Sequence, residues 1–262
     1  MKTPMTDWQL PQQGLFVTGT DTEVGKTWVS THILRTLRPL TAQTASKSTP
    51  EKVENFAGKN FKEAPLICAR KPVASGATQV GEHLLSEDTQ LLAHASGEPT
   101  HQVTRFQLAP PISPARAAQE TGLDTRLPQL LEACKAPPNS WTLVEGAGGF
   151  LSPLGADNTL NADLAKALNL PVLLVVGLKL GCINHTLLTL EAIRHRGLYC
   201  IGVVINDLTG QGDKQTVSEL RTLIDPPLYT MPHGQPNSDW PQWLASLQLM
   251  GEKRQTQMRD NM

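Results

Sequence analysis

The sequence predicts an α/β fold, a doubly wound and mostly parallel sheet with helices on both faces. Strand-like apolar runs alternate with stretches of helical spacing along the chain, the pattern of β–α units rather than of separate all-α and all-β parts. Several runs, such as "PVLLVVG" at 171–177, are apolar on consecutive positions, as strands covered on both faces require. With 262 residues, the chain lies near the upper end of one domain and can bury a substantial core.

Taken in order, Leu15–Thr18 is a short run of β-formers, and Lys26–Leu37 carries apolar residues at helical spacing. Residues 41–64 read "TAQTASKSTPEKVENFAGKNFKEA". This Thr-, Ser- and Lys-rich stretch is expected to be a surface insertion, partly helical or disordered, rather than a core element. A second strand is expected over Leu66–Val73 and helices over Asp88–Ala95 and Leu127–Cys134, followed by a strand over Trp141–Val144. Ala162–Leu168, His185–His195 and Lys214–Leu223 read as helices between strands at Val172–Gly177, Cys200–Asn206 and, more weakly, Leu228–Met231. From about residue 250 the chain is a polar tail that is expected to fray. The whole span 1–262 reads as a single α/β domain, with no internal repeat.

Bulk composition excludes several roles. Charged residues make up 18% of the chain and the formal net charge is −1, so nothing favours a nucleic-acid or anionic-membrane partner. The most apolar segment, Leu170–Leu178, is far shorter than the roughly 20 residues that span a bilayer. The N-terminal "MKTPMTDWQLPQQG" lacks the apolar run of a signal peptide. The four Cys show no CxxC spacing, and Cys68 and Cys200 sit in strand-like runs that suit buried free thiols, which suggests a reduced, cytoplasmic protein. No HExxH or GxSxG motif is present, which removes the local signatures of zinc and Ser-His chemistry.

Three stretches carry chemistry. "GTDTEVGKT" at 19–27 has the ending of a phosphate-binding loop, but five residues separate Gly19 from Gly25 where the common form has four. Between a strand and a helix, its glycines let backbone N–H groups approach phosphate oxygens, and the helix N-terminus favours the same anion. Lys26 would supply a mobile cation and Thr27 a hydroxyl for Mg2+. The rival reading is a strand–helix turn that happens to end in Lys-Thr. "WTLVEGAGG" sets Glu145 after a strand and before a glycine-rich turn, where a carboxylate can help hold a metal; an ordinary surface Glu is the alternative. "ARKPVASG" places Lys71 near the same sheet edge. On spacing alone it is equally an ordinary solvated charge or a second cation of the site.

Together, "FVTGTDTEVGKT", "KPVASG", "VEGAGG", "VVGLKLGCINH" and "GVVIND", in this order from about Leu15 to Pro232, closely resemble the dethiobiotin synthetases. In that family the longer loop is the rule, on a fold like that of the P-loop NTPases. The resemblance implies Mg2+-ATP-dependent ring closure of 7,8-diaminopelargonate with CO2 (or bicarbonate), giving dethiobiotin, ADP and phosphate. It also implies that Glu23, Val24, Gly25, Lys26, Thr27 and Trp28 form the phosphate loop. Thr27, Asp88 and Glu145 would surround Mg2+, with Lys71 the catalytic lysine beside Lys26. Ser75 would contact the diamine, and Gly146, Ala147 and Gly148 would continue the nucleotide-facing loop. Asn206 with Asp207 and the stretch at Pro232 would lie on the adenine side. Leu180, Gly181, Cys182, Ile183 and Asn184 would receive the substrate carboxylate across the two-fold interface of a homodimer, with Asn184 capping the helix that runs to His195. Three features depart from the family pattern: the 41–64 insertion, Ala115 of "PPISPARAA" where many relatives have His, and the weakly matching "HGQPNSDW" beyond Pro232. Two alternatives are a partitioning-type switch ATPase, which usually carries a second Lys inside the loop, and a cobyrinate-type amidoligase. Asp21–Val24 hold no such Lys, and about 30 residues after the last strand are too few for a glutamine-hydrolysing domain.

Overall fold

The computed structural model describes residues 8–46 and 65–234; residues 47–64 of the expected insertion and the polar tail lie outside the described residues. The chain runs β1 (Gly14–Gly19), α1 (Lys26–Ser46), β2 (Leu66–Arg70), β3 (Val73–Ser75), β4 (Thr78–Val80), β5 (His83–Leu85) and α2 (Glu87–Ser96). There follow α3 (Thr100–Val103), β6 (Phe106–Leu108), α4 (Pro114–Thr121), α5 (Leu127–Ala133), β7 (Ser140–Gly149) and α6 (Asn161–Leu168). The order closes with β8 (Val172–Gly177), α7 (Cys182–His195), β9 (Cys200–Asn206), α8 (Lys214–Leu223) and β10 (Leu228–Met231).

Six strands form one sheet in the order β10-β9-β8-β1-β7-β2, and every neighbouring pair is parallel. Alternation along each strand divides the core between the two faces. Leu15, Val17, Leu143, Leu173 and Val175 pack against α1 and α2 through Val29, Ile33, Leu34 and Leu92. Phe16, Val144, Leu174 and Val176 meet α6, α7 and α8 through Leu164, Ile193 and Leu220. Each such fully buried aliphatic side chain contributes about 1.5–3 kcal/mol of transfer free energy, which holds the helices on the sheet. Among the described residues no helix is long and apolar enough to cross a membrane.

Several boundaries differ from expectation. Strand β2 stops at Arg70 because Pro72 has no N–H for the ladder. Beyond it the chain leaves the main sheet: Lys71 N–H donates to the Val103 carbonyl, and β3 pairs with β6 instead. Helix α1 continues through Pro39 to Ser46, well past Leu37, since Leu, Ala and Gln in that stretch favour helix. Strand β7 runs on to Gly149 rather than ending at Val144. Helix α7 begins at Cys182, capped by Gly181 at φ 87°. Asn184 therefore lies inside the first turn and is not the cap, because glycine takes the left-handed geometry that starts the helix earlier. The short elements α3, α4 and β3–β6 have too few residues to show a period in the sequence.

The topology also locates a crevice. From β1 the chain passes through α1 to the edge strand β2, whereas from β7 it passes through α6 to β8 on the other side. Adjacent parallel strands whose connections diverge leave a cleft outside their carboxyl ends. Both glycine-rich stretches, after β1 and late in β7, stand there.

Candidate functional site

The loop between β1 and α1 is shaped by two residues with left-handed backbone, Glu23 at φ 56° and Gly25 at φ 83°. A Cβ at position 25 would lie 2.0 Å from Asn206 Nδ2, so only glycine fits both the angle and the space. Val24 turns inward into the core, and its carbonyl accepts from Asn206 Nδ2 at 3.2 Å. Lys26 and Thr27 then open α1, and Lys26 Nζ donates to the Asp21 carbonyl at 3.1 Å.

Four side chains from four segments converge beside this loop. Thr27 Oγ1 lies 2.7 Å from Asp88 Oδ1 and 2.8 Å from Glu145 Oε1. Lys71 Nζ donates to Asp88 Oδ2 at 2.5 Å and to Glu145 Oε1 at 2.8 Å. Asp88 is held in the first turn of α2, whose cap Ser86 accepts from the Thr89 N–H. Glu145 is wholly buried and Lys71 is 4% exposed. One Glu145 oxygen, Oε2, has no hydrogen-bond partner among the described residues. A buried carboxylate with an open acceptor costs free energy unless a cation completes it.

The electrostatics follow from this crowding. Burial opposes the Lys71 charge, but Glu145 and Asp88 outweigh it and hold the ammonium above its ordinary range. Burial likewise opposes ionisation of Asp88, and Lys71 overcomes it, leaving the carboxyl below its usual value. Lys26 behaves in the opposite way: burial, then the Lys71 charge, push it down to about 8. The site thus holds two cations close to two carboxylates; Lys26, Lys71 and Asp88 line a cavity of about 740 Å3, whereas Glu145 is wholly buried and does not line it.

The cavity lining includes Glu23, Gly25, Lys26, Thr27, Lys71 and Asp88. Ser75, Ala147 and Gly148 form further parts of its wall. Gly146 lies just behind, since a Cβ there would meet Asn161 Oδ1 at 2.6 Å. Other expected residues stand apart from this space. Trp28 is half-exposed on α1 and tilts against His32. Asn206 flanks the loop from the β9 side. Asp207 uses both carboxylate oxygens to close the turn at Thr209, Gly210 and Gly212, and Pro232 is exposed after β10. Leu180, Gly181, Cys182, Ile183 and Asn184 form the start of α7, with Leu180 fully exposed and Cys182 buried.

Pro111 to Pro114, in the "PPISPARAA" stretch that the sequence singled out for Ala115, line the cavity, and Ala115 itself is buried in α4. Sequence reasoning passed over two further residues near the site. Lys179, just past β8, pairs with Asp21 at 3.3 Å and so ties the next loop to the phosphate loop. Asn161, wholly buried, bonds Ala147, Gly149 and Ser152. An Asn at the start of a helical stretch reads as a local cap, and no nearby residue signals otherwise.

A family model described as an AAA domain matches residues 69–227, more than half of the chain. The ATP-dependent dethiobiotin synthetase of Alteromonas mediterranea is 38% identical over 229 residues, covering 81% of this chain and 88% of that protein. That of Aromatoleum aromaticum is 36% identical over 243 residues, covering 90% and 97%. That of Pseudomonas aeruginosa is 41% identical over 197 residues, covering 73% and 75%. Among solved structures, a ParA family ATPase from Chlorobium tepidum overlaps with a TM-score of 0.43 at 11% identity, covering 91% of this chain and 92% of that one. With the phosphate loop, two lysines and two carboxylates already gathered at one cavity, such similarity along most of each chain means that this chain belongs to the ATP-dependent dethiobiotin synthetase family, ligases of biotin biosynthesis.

Proposed function

We propose that the cavity takes Mg2+-ATP together with 7,8-diaminopelargonate, and that CO2 is fixed between the two amines of the diamine. One amine adds to CO2 and loses a proton, giving a carbamate. A carbamate oxygen takes the γ-phosphoryl group of ATP, and ADP leaves. The second amine attacks the carbamoyl carbon and loses a proton, phosphate departs, and the cyclic urea closes. The observation that carries this reading is the meeting of Thr27, Lys71, Asp88 and Glu145 beside the phosphate loop.

The donor set fits Mg2+. Thr27 Oγ1 lies 2.7 Å from Asp88 Oδ1 and 2.8 Å from Glu145 Oε1, so the site gathers three oxygen donors, two of them carboxylates, the ligand type that Mg2+ takes. A single Thr27 hydroxyl proton cannot serve both carboxylates, and Glu145 Oε2 has no hydrogen-bond partner among the described residues. Thr27, Asp88 and Glu145 would hold the ion, which when bound neutralises and orients phosphate oxygens. Lys71 bridges the two carboxylates and stands where a carbamate and a γ-phosphate would meet, so its fixed charge offsets their mutual repulsion. An anion beside Lys26 favours its charged form, and loop N–H groups from Glu23 to Trp28 direct the phosphates.

Ser75, which lines the cavity, serves the diamine, and Gly146 to Gly148 continue the nucleotide side. Asn206, Asp207 and Pro232 lie toward the adenine. The start of α7, Leu180 to Asn184, receives the substrate carboxylate from the partner in a homodimer; exposed Leu180 and Leu188 support a partner surface there. The chain works as one ATP-binding domain with a surface insertion at 41–64. Four free, buried cysteines are compatible with a reducing cytoplasm. The test is ADP release with diaminopelargonate and bicarbonate against release without them. Strict dependence on the diamine is expected; equal release without it would favour a switch-type ATPase.

A further inference from the structure

One layer behind the cavity lies a buried carboxamide that no step above uses. Asn161 is the first residue of α6 and is wholly buried. Its Oδ1 accepts from the Ala147 N–H at 3.0 Å, and its Nδ2 donates to the Ala147 carbonyl at 2.7 Å. The same Nδ2 also faces the carbonyls of Gly149 and Ser152 at 3.1 and 3.2 Å. One side chain thus pairs both backbone groups of a single residue, as a neighbouring strand would.

That substitution for a strand occurs where β7 lacks one. Val17 of β1 pairs with Glu145 and Gly19 with Gly149, with the register broken between them. Two residues of β1 therefore face a longer stretch of β7, and the surplus bulges out of the ladder. The bulge carries Gly146, Ala147 and Gly148 directly after Glu145. It leans on the phosphate loop: a Cβ at Gly148 would lie 3.6 Å from Thr22 Cγ2, and one at Gly149 3.3 Å from the Thr20 carbonyl oxygen. Ala147 and Gly148 also line the cavity, whereas Asn161 does not.

We infer that Asn161 is a positioning residue, whose carboxamide holds the 146–149 bulge at the height where it and the phosphate loop form one seat for the nucleotide phosphates. The inference rests on the reading of the cavity as an ATP site. It explains why an amide stands there. An aspartate could still accept from Ala147 N–H, but it would set a negative oxygen against three carbonyls and donate to none. It also explains Gly146, whose Cβ would strike Asn161 Oδ1 at 2.6 Å although its backbone angle suits any residue.

The experiment measures binding of a non-hydrolysable ATP analogue with Mg2+ by calorimetry on the full chain, together with thermal unfolding and the KM for ATP. Asn161→Ala and the nearly isosteric Asn161→Asp should each weaken analogue binding by about 10-fold or more, the scale of a lost buried hydrogen-bond set. KM for ATP should rise with it. Gly146→Ala should do the same from the other side of the contact. Combined with Asn161→Ala, it should add little, because both lesions free the same bulge. A residue that only supports folding would lower the unfolding temperature and leave the affinity of the folded protein unchanged. If Asn161→Ala does not fold, Asn161→Asp and Gly146→Ala decide the matter. Wild-type binding matched by all folded variants, or effects that multiply in the double variant, would overturn the inference alone. A wild-type chain that binds no nucleotide would overturn the reading of the cavity and the inference with it.

Discussion

Glu145 shows how much one residue can be asked to do. It is wholly buried, and a buried carboxylate without compensation costs several kcal/mol. Thr27 and Lys71 compensate one oxygen, and the other remains open. Glu145→Gln keeps the shape and removes the charge, so turnover should fall by at least ~100-fold, as for other electrostatic catalytic groups. Near-normal turnover at low Mg2+ would remove Glu145 from the metal set. In the proposed reaction Lys71 would act later, while carbamate and phosphate meet. Lys71→Ala should depress turnover and lower stability, because it leaves Asp88 and Glu145 without their shared cation. Affinity for an ATP analogue, measured on the folded protein, should stay nearly intact. Lost ATP binding with normal turnover would move Lys71 to the nucleotide side. Both residues were legible as letters, Glu145 from "VEGAGG" and Lys71 from "KPVASG". Their contact was not, since 74 positions separate them.

At the scale of elements, the phosphate loop is held from two flanks. On one side Asn206, at the end of β9, donates to the Val24 carbonyl. On the other, the bulge of β7 lies against Thr20 and Thr22. Gly25 sits between the loop and Asn206 with no room for a Cβ. Gly25→Ala should therefore abolish nucleotide binding in a chain that still folds, since it demands both a strained angle and a displaced Asn206. Adding Asn206→Ala would restore space but not the angle, so binding should recover only in part. Equilibrium binding of a fluorescent ATP analogue would check both; full recovery in the double variant would show that space alone matters. The longer spacing of "GTDTEVGKT" was readable from the sequence. The left-handed turn at Glu23 was not, because a non-glycine residue adopts it only when its surroundings impose it.

At the scale of the whole molecule, the start of α7 stands apart from the residues that line the cavity. In the shared-site model a second chain would bring it to the substrate carboxylate. Asn184 lies in the first turn of α7, where a negative charge favours the helix, so Asn184→Asp should fold normally while repelling a carboxylate. Alone, Asn184→Asp and Lys71→Ala should each form weakly active dimers. Random re-association makes about half of the dimers hybrids, each with one intact site if sites are shared, so about a quarter of wild-type activity should return. No rescue, with subunit exchange confirmed by native mass spectrometry, would place each site within one chain.

Along the chain itself, local pattern determined most of the architecture: the parallel strands, the helices between them, and the glycine-rich phosphate loop. These depend on spacing and propensity within a few residues, which any stretch of sequence displays directly. Tertiary structure alone decided which distant groups meet. Lys71 leaves β2 because Pro72 ends the ladder, and only the pairing of β2 with β7 brings it to Glu145. Asn161 looks like a helix cap in sequence, yet it serves as a surrogate strand for a bulge fourteen positions earlier. Gly181 starts α7 ahead of Asn184 through a backbone angle that the sequence permits but does not require. For Lys71 and Asn161 the deciding energy is that of satisfying buried polar groups, and such partners are chosen by the fold in space and not by neighbours along the chain.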